Sequence, residues 1–175
     1  MSPAHKGYVQ VYTGDGKGKT TAALGLVLRA LGRDLRPAVL QFMKSDPTWG
    51  EIVTLRRLDV PVVQCGLDHW VLKDKATDED RAAAAGGLAR AQRLVESGDY
   101  DVVVLDELCT ALSFELVALD DVLALLAARP PGVELVLTGR GAPEELIAAA
   151  DLATEMRPLK HYYDAGVHAR PGIEF

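Results

Sequence analysis

Gly14-Asp15-Gly16-Lys17-Gly18-Lys19-Thr20-Thr21 constrains this chain more than any other stretch. It follows Tyr8-Val9-Gln10-Val11-Tyr12, a β-branched and aromatic run that reads as a strand, and it leads into Thr20 to Leu31, whose Ala and Leu residues read as a helix closed by Gly32. Strand, glycine-rich loop, Lys-Thr and helix is the recipe for holding a chain of phosphates. Glycines let the backbone wrap closely so that its N–H groups face the anion. The helix adds its positive end, Lys19 a full charge and Thr20 a hydroxyl for Mg²⁺. Gly14, Asp15, Gly16, Lys17, Gly18, Lys19, Thr20 and Thr21 are therefore the candidate nucleotide-binding residues. Thr13 takes the place of the first glycine of the usual G-x-x-x-x-G-K-[ST] pattern. The strand-helix context still separates this stretch from a flexible turn that happens to carry lysines.

A chain of 175 residues with 49% hydrophobic content is long enough for one packed core, so residues 1–175 are expected to form a single domain. The formal net charge of −6 argues against general nucleic-acid binding, although Lys17, Lys19, Lys44 and Arg140 can still build a local cationic pocket. Cys65 and Cys109 have no metal-ligand spacing and read as buried small apolar residues of a reducing compartment. Met1 to Gly7 lacks an apolar leader core and no stretch is long and apolar enough to span a membrane, so a cytoplasmic location and no membrane partner are expected.

Beyond the loop, apolar runs alternate with helical patterns. Strands are expected at Pro37–Phe42, Val60–Cys65, Asp101–Glu107 and Val133–Thr138, with a short last one near Thr154–Leu159. Helices are expected around Ile52–Leu58, Glu79–Glu96 (capped by Thr77 or Asp78), Leu116–Ala127 and Glu144–Ala150, the last with Pro143 as its first residue. Gly86-Gly87 inside the long helix suggests close approach of a neighbour. Strands that are mostly apolar, rather than alternating, belong to a mostly parallel sheet covered on both faces. Ligands gather at the carboxyl ends of such strands, and the phosphate loop, Gln41 to Lys44, His69-Trp70, Asp106-Glu107 and Gly139-Arg140 all fall there.

Val102-Val103-Val104-Leu105-Asp106-Glu107 has the form of a strand whose terminal carboxylates hold Mg²⁺ near bound phosphates, and spacing alone leaves open which acid touches the metal. Arg140, bracketed by glycines, is placed to grip phosphate oxygens bidentately. Lys44 sits at the end of its strand. His69 reads as an exposed or hydrogen-bonded loop histidine, and Trp70 as an aromatic able to cover a flat ligand. These residues describe a P-loop nucleotide-binding protein that uses Mg-ATP. They do not separate chemistry at the phosphates from chemistry elsewhere on the nucleotide.

Five segments occur in order: GDGKGKTT at Gly14–Thr21, Gln41-Phe42-Met43-Lys44, Val104-Leu105-Asp106-Glu107-Leu108, Thr138-Gly139-Arg140-Gly141 and Arg157-Pro158-Leu159-Lys160-His161. The tail Asp164-Ala165-Gly166-Val167-His168-Ala169-Arg170-Pro171-Gly172-Ile173-Glu174-Phe175 completes the set. Together they resemble the P-loop ATP:corrinoid adenosyltransferases acting on cob(I)yrinic acid a,c-diamide, over nearly the whole chain, and the tail is the specific part. The resemblance implies a three-layer P-loop NTPase fold of RecA-like type and transfer of the 5′-deoxyadenosyl group of ATP to a cobalt(I) corrinoid, with triphosphate released intact. It also implies Mg²⁺, a homodimer and a flavoprotein among the candidate electron donors. Lys19, Thr20, Glu107 and Arg140 would then be the catalytic set, with Thr20, Asp106 and Glu107 toward Mg²⁺, and Lys44 and Trp70 among the binding residues. Asp68 stands where the family carries a phenylalanine two residues before this tryptophan, and His168 where it carries a lysine. Two rival readings remain: a P-loop ATPase or kinase with Glu107 as the water-orienting base, and a non-catalytic corrinoid or nucleotide carrier.

Overall fold

Six apolar runs pair edge to edge in one sheet, ordered β3-β2-β4-β5-β1-β6, with every neighbouring pair parallel. In chain order the strands are β1 (Val9–Thr13), β2 (Pro37–Phe42), β3 (Val62–Cys65), β4 (Val102–Asp106), β5 (Glu134–Thr138) and β6 (Leu152–Glu155). The helices are α1 (Lys19–Leu31), α2 (Gly50–Arg57), α3 (Asp78–Glu96), α4 (Leu108–Ser113), α5 (Leu119–Ala128) and α6 (Glu144–Ala149). The structure is a computed structural model that describes residues 6–175. The sequence reading of Met1–His5 lies outside the described residues.

Side-chain alternation along the strands sorts the core into two layers. Val39, Val104 and Val136 face Ala23 and Val27 of α1 and Leu55 of α2. Their sequence neighbours Leu40, Leu105, Leu135 and Leu137 face α3, α4, α5 and α6 on the other side. The result is the expected three-layer α/β sandwich, and the sheet is wholly rather than mostly parallel. Because β2, β4 and β5 are buried at every residue, they are apolar on both faces through their centres, and their polar residues, Gln41, Asp106, Glu134 and Thr138, fall near the strand ends. The strand carrying the phosphate loop, β1, is separated from β4 by β5.

Several boundaries differ from the sequence expectation, each for a local reason. Residues 108–113 form α4, ahead of the single helix expected from Leu116; Leu108 to Leu112 are all buried, so α4 has no polar face to give it a helical period. The last strand lies at Leu152–Glu155, earlier than Thr154–Leu159, and as an exposed edge strand it lacks the apolar run that marks the others. Pro143 precedes α6 in extended conformation instead of opening it. Thr77 caps α3 in a full capping box with Asp80. Of the two helix glycines, Gly87 meets a close neighbour, since a Cβ there would lie 2.9 Å from Phe42 and 3.0 Å from Cys65, whereas Gly86 faces open space.

Candidate active site

The carboxyl ends of β1, β2, β4 and β5 converge on Asp106. This side chain is fully buried and accepts four hydrogen bonds. Oδ1 takes the hydroxyls of Thr20 and Thr138, each at 2.7 Å; Oδ2 takes Lys44 Nζ at 2.7 Å and Gln41 Nε2 at 3.1 Å. Gln41 is oriented in turn by Gln64, whose amide donates to Gln41 Oε1 at 3.1 Å. Burial alone would push the Asp106 carboxyl up, but Lys44 and the two hydroxyls outweigh it and hold the group below the usual aspartate value. Burial likewise pulls the Lys44 ammonium down, and Asp106 and Glu107 more than restore it, leaving it raised. The pair is ionised on both sides.

Sharp turns aim these groups. Met43 and Glu107, the residues just past β2 and β4, both adopt left-handed backbone with φ of 57° and 61°. For a non-glycine residue that conformation costs about 1–2 kcal/mol, so the surroundings must enforce it. The Glu107 N–H donates to Thr138 Oγ1 at 3.1 Å, and Thr110, one turn into α4, donates its hydroxyl to Glu107 Oε2. The same Thr110 hydroxyl accepts the Arg140 N–H at 2.9 Å, which ties the Gly139-Arg140-Gly141 loop to Glu107.

The phosphate loop closes the site from the β1 side. Gly18 takes φ of 117° at the start of α1, and Gly16 N–H donates to the Met156 carbonyl at 2.7 Å, so the residue after β6 braces the loop. Lys19 Nζ donates to the carbonyls of Gly14 and Gly16, each at 2.7 Å. Burial lowers its pKa, Glu107 opposes that and Arg140 reinforces it, so the two cations sense one another across the loop. Lys17 reaches outward to the tail, and among the described residues Asp15 and Thr21 add no side-chain hydrogen bond to the cluster.

Of the sequence-predicted residues, the structure thus gathers Lys19, Thr20, Lys44, Asp106, Glu107 and Arg140 in one place. Trp70 stands apart, 86% exposed, on the loop past β3. Four strand spacings separate β3 from β1, about 19 Å across the sheet. His69 is hydrogen-bonded, as expected, with Nε2 2.9 Å from Asp80 Oδ1 at the start of α3. Thr110 and Gln64 escape sequence reading, and Thr138 is read there only as part of the Thr138–Gly141 segment, with no role. Thr138 had a signal in its place immediately before the glycine-bracketed Arg140; Met156 had none, because it acts through its backbone.

A Thr20 hydroxyl beside an ionised carboxylate, with Glu107 next in the chain, fits a small hard cation whose remaining ligands are water and phosphate oxygens. No cluster of three or more His, Cys, Asp or Glu side chains forms a self-sufficient metal cage among the described residues. No helix of the described residues is long and apolar enough to cross a membrane.

Residues 5–175 match the family described as ATP:corrinoid adenosyltransferase BtuR/CobO/CobP. The chain is 40% identical over 173 residues to a corrinoid adenosyltransferase of Pseudomonas aeruginosa, with 97% of this chain and 84% of that one covered. It is 36% identical over 174 residues to the corrinoid adenosyltransferase CobA of Salmonella typhimurium, covering 97% and 86%, and 35% identical over 174 residues to that of Escherichia coli, with the same coverage.

Proposed function

This chain belongs to the ATP:corrinoid adenosyltransferase family, and from that premise we propose that it transfers the 5′-deoxyadenosyl group of ATP to the cobalt(I) of a corrinoid and releases triphosphate. The cobalt lone pair attacks the ribose C5′; a Co–C bond forms, the C5′–O bond breaks, and its electron pair leaves on the triphosphate. The observation that carries this reading is the distribution of charge. Lys19 and Arg140 flank the loop where phosphates would lie, while the buried carboxylate, Asp106, is already committed to four donors and neutralised by Lys44. A site so equipped stabilises a departing anion. The nucleophile arrives already made, so no side chain has to generate one.

Individual roles follow from position. The loop N–H groups and Lys19 grip the triphosphate, and Lys19 must leave the carbonyls of Gly14 and Gly16 to do so. Arg140, fixed at its backbone by Thr110, balances charge on the same anion. Mg²⁺ would be held by the Thr20 hydroxyl and Glu107, with Asp106 orienting Thr20 through the hydrogen bond it accepts; bound there, the ion would neutralise phosphate charge. Trp70, on the exposed rim past β3, offers an aromatic face to the corrinoid. In this reading the corrinoid is cob(I)yrinic acid a,c-diamide, its electrons come from a flavoprotein, and the enzyme works in the cytoplasm, where ATP is supplied. A homodimer belongs to it too, and edge strand β6, exposed at all four residues, is surface that a second copy can cover.

The test supplies Mg-ATP and chemically reduced corrinoid and separates the products. Adenosylated corrinoid with an equal amount of intact triphosphate is the expected result. Orthophosphate or diphosphate as the sole phosphate product would overturn the reading in favour of an ATPase or kinase, and tight binding of both ligands without turnover would leave a carrier.

A further inference from the structure

The C-terminal segment carries contacts that the transfer reaction does not use. After a short 3₁₀ turn at Tyr162–Ala165, the tail runs back to the mouth of the site. Lys17, in the middle of the phosphate loop, donates to the Ile173 carbonyl at 3.1 Å, and its ammonium lies 3.7 Å from Glu174 Oε1. One residue further on, the Phe175 ring sits 6.4 Å from the Trp49 ring at the start of α2. Trp49 is also the face over which Lys44 rests, at 5.4 Å, while Lys44 holds Asp106. The tail therefore bridges the two rims of the site, the phosphate loop on one side and the β2–α2 connection on the other.

Glu174 does not depend on Lys17 for its charge. Tyr162 donates its hydroxyl to Oε1, and Arg170 donates its backbone N–H at 2.8 Å and its Nε at 3.3 Å to Oε2. These donors hold the carboxyl down to about 2, so it is ionised at any pH where the protein works. Lys17, by contrast, is 38% exposed and its charged partner in the described structure is Glu174. The lysine can swing to a phosphate oxygen and leave Glu174 satisfied, so exchange between the two anions is easy in both directions.

We propose that Glu174 is a competing counter-ion for Lys17, so that the C-terminal strap and the triphosphate hold this lysine by turns and return of the strap helps expel the triphosphate product. A cradle built to stabilise a leaving triphosphate otherwise binds its product too well, because the departing group carries more charge than the same phosphates in ATP. A tethered carboxylate corrects this at the end of the cycle without weakening Lys19 or Arg140. The proposal rests on the adenosyl-transfer reading only for the identity of the departing anion.

The experiment is a binding cycle with inorganic tripolyphosphate and Mg²⁺ at fixed ionic strength, without corrinoid, on the wild type, E174Q, K17Q and the double variant. Removing a unit charge at this distance through water tightens tripolyphosphate by about fivefold in E174Q, seen chiefly as slower dissociation. In the K17Q background the same substitution changes nothing. Unchanged or weaker binding in E174Q overturns the proposal, as does tightening that persists undiminished without Lys17. Tryptic cleavage after Lys160 reports whether the tail of E174Q keeps its place. If it does not, F175A takes over: it loosens the strap at its other anchor with Glu174 retained, and tighter tripolyphosphate is expected, while unchanged or weaker binding refutes the strap. Adenosylated corrinoid formed alongside a flat binding cycle removes the strap and leaves the transfer; a positive cycle without corrinoid product does the reverse.

Discussion

Replacing Asp106 by Asn removes the charge at the centre of the site and changes almost nothing in volume. The amide oxygen can still accept from Lys44 and Gln41, and the hydroxyls of Thr20 and Thr138 can turn to accept from the new NH₂ group. What is lost is the counter-charge of Lys44, whose side chain is only 14% exposed. Breaking a buried ion pair from one side costs about 3–5 kcal/mol, and the residual exposure of Lys44 favours the lower end, about 3 kcal/mol. For a domain of this length that lowers Tm by about 6–12 °C. Lys44→Met should cost a similar amount, because it strands the carboxylate instead. The double variant leaves neither charge unpaired, so it should be more stable than the sum of the singles predicts by about 2 kcal/mol, measured by urea unfolding. The pH dependence has a definite sign. With the folded-state carboxyl below its unfolded value, the contribution of Asp106 is fully present above about pH 4 and is lost as pH falls through the folded value. Wild type and D106N should therefore converge in stability as pH is lowered from 5 toward 2. Additivity of the two substitutions, or a stability gap that does not narrow in acid, would refute the argument that this pair holds the strand ends together.

Four further outcomes are expected. Glu107→Gln should lower adenosyl transfer by about 10- to 100-fold through weaker Mg²⁺ binding, and triphosphate should remain the phosphate product; loss confined to an orthophosphate-releasing activity would instead mark Glu107 as a hydrolytic base. Trp70→Ala should leave Tm unchanged, given its exposure, while raising KM for the corrinoid roughly 3- to 10-fold with KM for ATP unaltered. Gly139→Ala places a Cβ 2.5 Å from the Thr110 backbone nitrogen at a residue with φ of 136°, so a loss of about 2–4 kcal/mol in chemical denaturation is expected, with Arg140 displaced from the site. Burial, with Glu107 nearby, pushes the Cys109 thiol up to about 12, so it should resist iodoacetamide at pH 8 in the native protein and react on unfolding.

The layers and the strand ends were legible because both depend on local pattern. A parallel strand buried on both faces is apolar through its centre rather than alternating, and β2, β4 and β5 announce themselves that way. The phosphate loop is legible for a related reason, since glycine, lysine and threonine at this spacing serve backbone wrapping and charge at once. Legibility fails where the decisive group is a backbone atom or a partner from another element. Nothing in Met156 foretells that its carbonyl braces Gly16, and nothing in Lys44 foretells that it spends its charge on Asp106. Helix α4 was lost because burial on every side erases the amphipathic period, and β6 because an exposed edge strand lacks the apolar run.

The centre of the site also bears on why this scaffold suits alkyl transfer. Hydrolysis by a P-loop protein needs a side chain kept available to orient water at a phosphate, and the acids at the end of β4 are the candidates here. Asp106 is occupied on both oxygens, and Glu107 has Oε2 taken by Thr110, the residue that also positions Arg140. In the proposed reading the remaining Oε1 of Glu107 goes to Mg²⁺, which leaves neither carboxylate with an oxygen to give a water. Metal binding and water activation would compete for that one oxygen. The network therefore favours a reaction in which both carboxylates stay where they are, the cations do the stabilising, and the bond that breaks lies at the far end of the triphosphate from any water they could activate.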